Sequence, residues 1–162
     1  LYMLGYNQSG KLTTLNSLVK KNVQSYLSKY RMLTDQVNIL DSFIVNIGVS
    51  FDITVYKGYN LQDVLAICLD EIRAYFNVRK WQINQPIILS DIQSKLLQVR
   101  GVQSVVKLEV TNKQDSTGNT YSQYGYDIVG ATKNGIIYPS LDPAIFEIRF
   151  PNTDIQGRVV VS

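Results

Sequence analysis

The sequence predicts an α+β domain, and two patterns support that fold class. Apolar residues recur at every second position from Phe43 to Val55, with polar residues or glycine between them from Asn46 onward, which is the two-residue period of a half-buried strand. The sequence downstream contains two amphipathic helical patterns and then a second alternating run over residues 102–110. We therefore expect a βααβ core, preceded by an N-terminal amphipathic helix and followed by a C-terminal β-rich extension.

The two core helices are expected at about residues 60–78 and 90–100. Asn60 precedes the first helical pattern, and asparagine is a favoured N-cap residue. Ser90 and Gln93 have the spacing of a capping box for the second helix, and a glycine follows its last turn. We expect both helices to pack on one face of the sheet.

Residues 13–33 have the pattern of a further amphipathic helix. A narrow apolar stripe of this kind is typical of a helix that packs against another helix. We expect this helix to project from the core and to bury its stripe against another chain or an upstream part of a longer parent protein. The alternative is a stripe that folds onto its own sheet. The stripe residues that form a candidate interface are Leu15, Leu18, Tyr26, Leu27 and Tyr30.

The C-terminal sequence begins with a polar stretch, residues 113–125, that we expect to be a mobile loop. An Asn-Gly pair at 134–135 then predicts a tight hairpin. Three prolines follow, and each limits pairing within a central sheet because it removes a backbone donor. We expect Tyr138, Phe146 or Phe150 to be partly buried in contacts beyond the core, with a second copy of the chain. An edge segment that covers only its own domain is the equally favoured alternative.

The length of 162 residues suits one core domain with appendages. The predicted segments are residues 1–40, an amphipathic helix and its connection; 41–112, the βααβ core; and 113–162, the loop, hairpin and C-terminal β extension. No apolar run reaches 18 residues, so we expect no membrane span.

The composition excludes several kinds of chemistry. The chain has no histidine, one cysteine and a net charge of +3. Without histidine, neither a Ser-His-Asp site nor an imidazole metal ligand can form. Cys68 lies on an apolar helix stripe, where a thiol usually acts as a small hydrophobic group. The acidic residues lack metal-loop spacing, and no glycine motif has the pattern of a phosphate-binding loop. We therefore expect no enzyme activity, no metal and no cofactor.

One short stretch favours a different function. "QYGYDIV" at residues 123–129 has the outline of an RNA-stacking strand, although Gln123 replaces the basic residue and Ala131 the second aromatic residue of that motif. The mild net charge does not favour a nucleic-acid partner. A free-standing α+β binding module for RNA or a small ligand is therefore the alternative function.

Three consecutive stretches in the middle of the chain carry a family resemblance: "SFDITVYKGYN", "LQDVLAICLDEIRAYFN" and "QPIILSDIQSKLLQVRGVQSVVKLEV". This order resembles the C-terminal part of the baseplate-J-like proteins, the wedge subunits of contractile phage tails and related injection machines. The most specific parts are the step from Ile88 to Ile92 and "VRGVQSV" at 99–105. The tail "NGIIYPSLDPAIFEIRFPNTDIQGRVV", together with the first helix, is similar to the large wedge proteins of T4-like phages.

The resemblance implies a structural role and no catalytic residues. Subunits of this kind pair with a second copy of themselves, join other baseplate wedge subunits, and close into a ring around the tail hub. The implied location is the tail baseplate of the virion, with assembly in the host cytoplasm. The chain would then be the C-terminal portion of a longer subunit.

Overall fold

The computed structural model describes residues 1–30 and 38–161. The end of the predicted first helix, residues 31–33, lies outside the described residues. The N-terminal elements are β1 (Tyr2–Met3), β2 (Gly5–Tyr6), β3 (Leu12–Thr13), α1 (Ser17–Ser28) and β4 (Leu40–Asp41). The middle elements are β5 (Phe43–Val55), α2 (Leu61–Tyr75), β6 (Ile87–Ile88), α3 (Leu89–Gln98) and β7 (Val102–Asn112). The C-terminal elements are α4 (Ile128–Ala131), β8 (Thr132–Lys133), β9 (Ile136–Ile137), β10 (Ala144–Glu147), α5 (Pro151–Asp154) and β11 (Ile155–Val159).

The long strand β5 is the centre of the main sheet. β7 runs antiparallel to it, with Val110 opposite Val49 and Leu108 opposite Phe51. β10 and β11 run parallel to β5, β10 beside residues 43–46 and β11 beside residues 49–53. Strands that are separated widely along the chain therefore meet on β5.

Helices α2 and α3 cover one face of this sheet, as the sequence predicts. α2 lies over β11, and α3 lies over β7. Gly157 allows the close approach of α2, because a Cβ atom there would lie 2.4 Å from Cζ of Phe51 and 2.8 Å from Cδ1 of Leu65. The buried helix residues in the core are Val64, Cys68, Ile72, Ile92 and Leu96.

The α+β class and the βααβ order are confirmed. Asn60 caps α2 as predicted, since its side chain accepts from the backbone N–H groups of Gln62 and Asp63. The predicted capping box of α3 is wrong. The helix begins at Leu89, directly after β6, and Ile88 at the N-cap position has no side-chain acceptor.

The predicted hairpin at 134–135 is confirmed. β8 and β9 pair antiparallel on either side of it, and β6 pairs with the other edge of β9. Asn134 and Gly135 have φ angles of 53° and 75°, so both occupy the left-handed region that a two-residue hairpin turn requires.

The C-terminal β extension is an extension of the core sheet itself, not a unit beside it. Every residue of β10 is buried, and the backbone N–H of Phe43 donates to the carbonyl of Pro143 at 2.9 Å. The prolines permit this pairing because of their positions. Pro143 precedes β10 and Pro151 follows it, so neither removes a donor from inside the strand.

A buried polar network attaches three distant segments to β5. Nδ2 of Asn46, a fully buried residue, donates to Oε1 of Glu147 at 2.8 Å. Oε2 of Glu147 accepts from the backbone N–H of Leu12 at 2.7 Å. Oδ1 of Asn46 accepts from the backbone N–H of Ser122 at 2.7 Å. The N-terminal hairpin, the loop after β7 and strand β10 therefore meet at one amide–carboxylate pair.

The loop at 113–125, predicted to be mobile, is connected by hydrogen bonds within itself and to the core. Oδ2 of Asp115 accepts from the Thr120 N–H, and Oδ1 accepts from the N–H and hydroxyl of Thr117. These bonds, led by that from Thr120, lower the pKa of Asp115 to about 2. The Tyr121 hydroxyl donates to Asp154 at 2.6 Å, and burial, followed by this bond, raises the pKa of Tyr121 to about 12. Polar anchors of this kind leave no apolar pattern in the sequence.

Candidate interaction surfaces

The apolar stripe of α1 is the most exposed apolar surface on any of the longer helices in the described part of the chain. Leu18, Tyr26 and Tyr30 are 65%, 59% and 74% exposed. Leu15 and Leu27, the other two predicted stripe residues, are half-buried. The helix begins at Ser17 and not at residue 13, where the chain is still in β3, so Leu15 precedes α1 and Tyr30 follows it. Within α1, all of which the structure describes, no residue is buried. The stripe is therefore not folded onto its own sheet.

α1 is held by a local cap at its N-terminus and by an ion pair to a neighbouring strand. Asn16 caps it by accepting from the backbone N–H of Val19 at 2.9 Å. Lys20 forms an ion pair with Asp41 on β4 at 2.7 Å. Twelve residues are marginal for a helix in water without tertiary packing. The exposed stripe, which we call the α1 stripe, is thus a surface whose burial would stabilise the helix that carries it.

A second apolar surface surrounds the β8–β9 hairpin. Tyr138 is 45% exposed, and Val129 and Leu141 are almost fully exposed. These residues border or line a groove of about 530 Å³ whose lining includes Tyr126, Tyr138 and Leu141. The Tyr126 hydroxyl donates to the carbonyl of Tyr138 and fixes the two sides of the groove relative to each other. We call this surface the hairpin groove.

Two predicted interface residues make their contacts inside the chain. Phe146 is 2% exposed and lies opposite Val45 in the sheet, so its predicted contact with a second copy is wrong. Phe150 is half-buried, with its ring edge-on to Tyr121 and the Lys11 ammonium 3.7 Å from its ring centre. The burial of Phe146 follows from the pairing of β10 with β5, as the alternative of a segment that covers its own domain expects.

The outer edge of β7 is poorly suited to adding another strand. Among the described strands β7 pairs only with β5, and the register skips Gln103 and Val106, which form bulges. Lys107 and Glu109 lie farther along the strand, and both are exposed. Bulges and exposed charges are the usual features that prevent edge-to-edge pairing. The apolar surfaces of α1 and the hairpin are therefore the better candidates for contact.

Residues 123–129, which resemble an RNA-stacking strand in sequence, do not form a strand. Their tyrosines lie in the loop after β7, and the last residues, from Ile128, form the short helix α4. The N–H of Tyr126 donates to the Asn112 side chain, and the Tyr126 ring lies against Phe146. An RRM-type stacking platform requires aromatic residues on the open face of a sheet, which this segment does not provide.

The side chains that could carry chemistry are dispersed. Cys68 is fully buried, and burial raises the pKa of its thiol to about 11, which keeps it protonated at neutral pH. Across residues 1–30 and 38–161 no three His, Cys, Asp or Glu side chains are placed to hold a metal ion. In the same residues no helix combines the length and apolar character needed to cross a bilayer.

Comparison with known proteins identifies the family of the chain. No curated protein matches the chain significantly. The family model of the baseplate J-like protein C-terminal domain matches residues 45–134, more than half of the chain. The matched span runs from β5 to the hairpin turn and contains α2, α3 and β7. The chain therefore belongs to the baseplate J-like family, as a structural component of a phage tail baseplate.

Proposed function

We propose that this chain acts by assembly: it pairs with a second copy of itself and joins other wedge subunits in a ring around the tail hub. The observation that carries the proposal is the uncovered α1 stripe. Leu18, Tyr26 and Tyr30 are large apolar or aromatic residues, and the fold leaves more than half of each exposed. Burying a large apolar side chain contributes about 1.5–3 kcal/mol, so a partner on this stripe would stabilise both the contact and the helix.

A closed ring of paired subunits needs more than one contact surface on each subunit. The hairpin groove supports this requirement, because its tyrosines are rigid and aromatic residues are enriched in interfaces. Tyr138 and Leu141 follow the α1 stripe by more than a hundred residues in the sequence, and they lie on a different part of the fold. We assign the α1 stripe to pairing with a second copy and the hairpin groove to contact with other wedge subunits.

The pairing is tested by placing charge on the α1 stripe. The double change Leu18→Lys and Leu27→Lys should weaken self-association by at least about tenfold, because two apolar contacts would then bury charged groups. Sedimentation equilibrium measures the association, and urea unfolding of the monomer measures the fold. We expect the free energy of unfolding of the monomer to change by less than about 1 kcal/mol, since no residue of α1 is buried.

The matched control places the same charge on the opposite side of α1. Ser17→Lys and Ser28→Lys lie on the polar side of the helix and are exposed. This variant should associate as the intact chain does. Equal loss of association in both lysine variants, or loss of monomer folding in the stripe variant alone, would contradict the assignment of the α1 stripe to pairing.

A further inference from the structure

The outer side of β11 is an unpaired strand edge. Among the described strands, β11 pairs only with β5, so it is the last strand on its side of the main sheet. The N–H of Val160 donates to the carbonyl of Ile53 at 2.8 Å, so the backbone of Val160 and of every second residue before it faces β5. The backbone groups of Gly157, Val159 and Val161 therefore point away from the sheet, and no backbone group of the described residues bonds to them. We call this row the β11 edge.

The β11 edge lacks the features that protect a strand edge from further pairing. The register of β11 with β5 runs without a bulge, and the strand contains no proline. Its one charged residue, Arg158, is already neutralised within the chain, because its guanidinium donates to both carboxylate oxygens of Asp52, at 2.7 and 3.1 Å. The outer edge of β7, by contrast, has both bulges and exposed charges. An open edge without such protection favours the addition of another strand.

The occupant that fits this edge is the same edge of a second copy. Backbone donors and acceptors recur regularly along a strand, so two copies of one edge are complementary when they run antiparallel about a twofold axis. An axis at Val159 places Val159 opposite its own copy and Gly157 opposite Val161 of the second copy. Because the backbone groups of all three residues point outward, this register allows about six backbone hydrogen bonds between the two copies.

The side chains agree with this register. Val161 is fully exposed, and it would lie opposite Gly157, the one position of the strand that has no side chain. Leu65 of α2 lies over Gly157, since a Cβ atom there would be 2.8 Å from Cδ1 of Leu65, so Val161 of the second copy would gain an apolar neighbour. On the other face of the sheet, Arg158 would lie opposite Val160 and not opposite a second arginine. The pairing therefore covers valines and brings no like charges together.

We propose that two copies of the chain join through their β11 edges and form one continuous antiparallel sheet across a twofold axis at Val159. This contact is separate from the α1 stripe, so the inference goes beyond the proposed function. Together with pairing through the α1 stripe it gives each chain two different self-contacts, and such a chain links pairs into a larger assembly. The stripe variant, Leu18→Lys with Leu27→Lys, should therefore still form a dimer, through the β11 edge.

The test removes one backbone donor from the β11 edge of the stripe variant. Val159→Pro deletes an outward N–H, and an edge strand tolerates proline there because the bonds to β5 come from the neighbouring residues. It should raise the dissociation constant of the dimer on the order of tenfold or more, as measured by sedimentation equilibrium. Val159→Ala is the matched control. It keeps the N–H and should weaken the dimer less than the proline does.

A cysteine substitution tests the register. Residues directly opposite each other in a hydrogen-bonded antiparallel pair have Cα atoms about 5.5 Å apart, a separation that a disulfide can span. Val159→Cys should therefore give a covalent dimer under mild oxidation. Val106→Cys, on the opposite edge of the sheet and 60% exposed, should not. Cys68 does not compete, because it is fully buried.

Three results would overturn the inference. If the stripe variant is monomeric at every accessible concentration, the proposed function stands and the β11 edge does not pair. If the proline variant is folded by circular dichroism and dimerises as tightly as the alanine variant, no strand adds to this edge. If Val159→Cys gives no covalent dimer where the chain associates, the copies meet elsewhere, and this result decides the question also for a proline variant that does not fold. The proposed function is judged separately, by whether the stripe variant associates more weakly than the intact chain.

Discussion

A chain that ends at Asn134 should not fold. The truncation removes β10 and β11, and with them two of the three strands that pair with β5. It also removes core residues that the rest of the chain cannot replace: Ile137, Ala144, Ile145, Phe146, Ile148 and Ile155. A single large apolar side chain removed from a core costs about 2–5 kcal/mol, and the whole stability of a domain is about 5–15 kcal/mol. The loss therefore exceeds the stability of the domain.

A single substitution in the removed segment should also lower the free energy of unfolding, by an amount small enough to measure. Phe146→Ala should lower the free energy of unfolding by about 3–5 kcal/mol, because Phe146 is 2% exposed and its loss leaves a cavity beside β5. Tyr138→Ala, in the same C-terminal segment but 45% exposed, should change it by less than about 1 kcal/mol. Urea unfolding followed by tryptophan fluorescence and circular dichroism measures both. A truncated chain that unfolds cooperatively would show that the C-terminal strands only cover a core that is complete without them.

Removal of the buried carboxylate of Glu147 should have the next largest effect. Glu147→Ala leaves the N–H of Leu12 without its acceptor in a buried site, and it leaves the side-chain amide of Asn46 with only the backbone carbonyl of residue 147, at 3.5 Å. An unsatisfied buried donor costs about 1–3 kcal/mol, so we expect a loss of about 2–5 kcal/mol in the free energy of unfolding. Glu147 also forms an ion pair with Arg149, whose Nη1 lies 3.9 Å from Oε1 of Glu147. The substitution removes this ion pair as well.

Two comparisons separate this effect from the general cost of losing a glutamate. Glu147→Gln retains one carbonyl oxygen and should lose less stability than Glu147→Ala, because only one of the two donors is left without an acceptor. Glu109→Ala, at an exposed site on β7, should change the free energy of unfolding by less than about 1 kcal/mol. Equal stability of Glu147→Ala and Glu109→Ala would mean that the polar network does not hold the three segments together.

The local elements were predictable because their signals are local. The alternation of apolar and polar residues from Val45 to Val55 specifies a strand, and the stripe that contains Val64, Cys68 and Ile72 specifies the buried side of α2. The Asn134-Gly135 pair specifies a turn through its backbone preference alone. Each of these features depends on residues within a few positions of one another.

The placement of the C-terminal strands was not predictable from such patterns. Residue 144 pairs with residue 43, and no local period records a parallel partner about a hundred positions away. Glu147 is a charged residue that alternates with the apolar residues Phe146 and Ile148, so the sequence pattern alone gives no reason for it to be buried. It is buried because Leu12 and Asn46, both distant in sequence, supply hydrogen-bond donors for its carboxylate. Long-range polar pairing is the information that the pattern of apolar residues lacks.

The candidate interface residues also differ in how far the sequence predicted their placement. Leu18, Tyr26 and Tyr30 are exposed, and their burial against another chain stays a prediction. The burial of Phe146 in the core was not predicted. An aromatic residue between prolines gives the same sequence signal at an interface as in a strand that pairs with the core sheet.

Hydrogen exchange of the α1 amides at a series of chain concentrations is the decisive measurement, because the proposed pairing covers α1 only when the chain associates. The expected result is slow exchange in α1 at concentrations where the chain associates and fast exchange where it is monomeric, with the protection of α2 and α3 unchanged at their sheet-facing sides. The result that would contradict the account is protection of α1 that does not depend on chain concentration, because the helix would then be stable without a partner on its stripe.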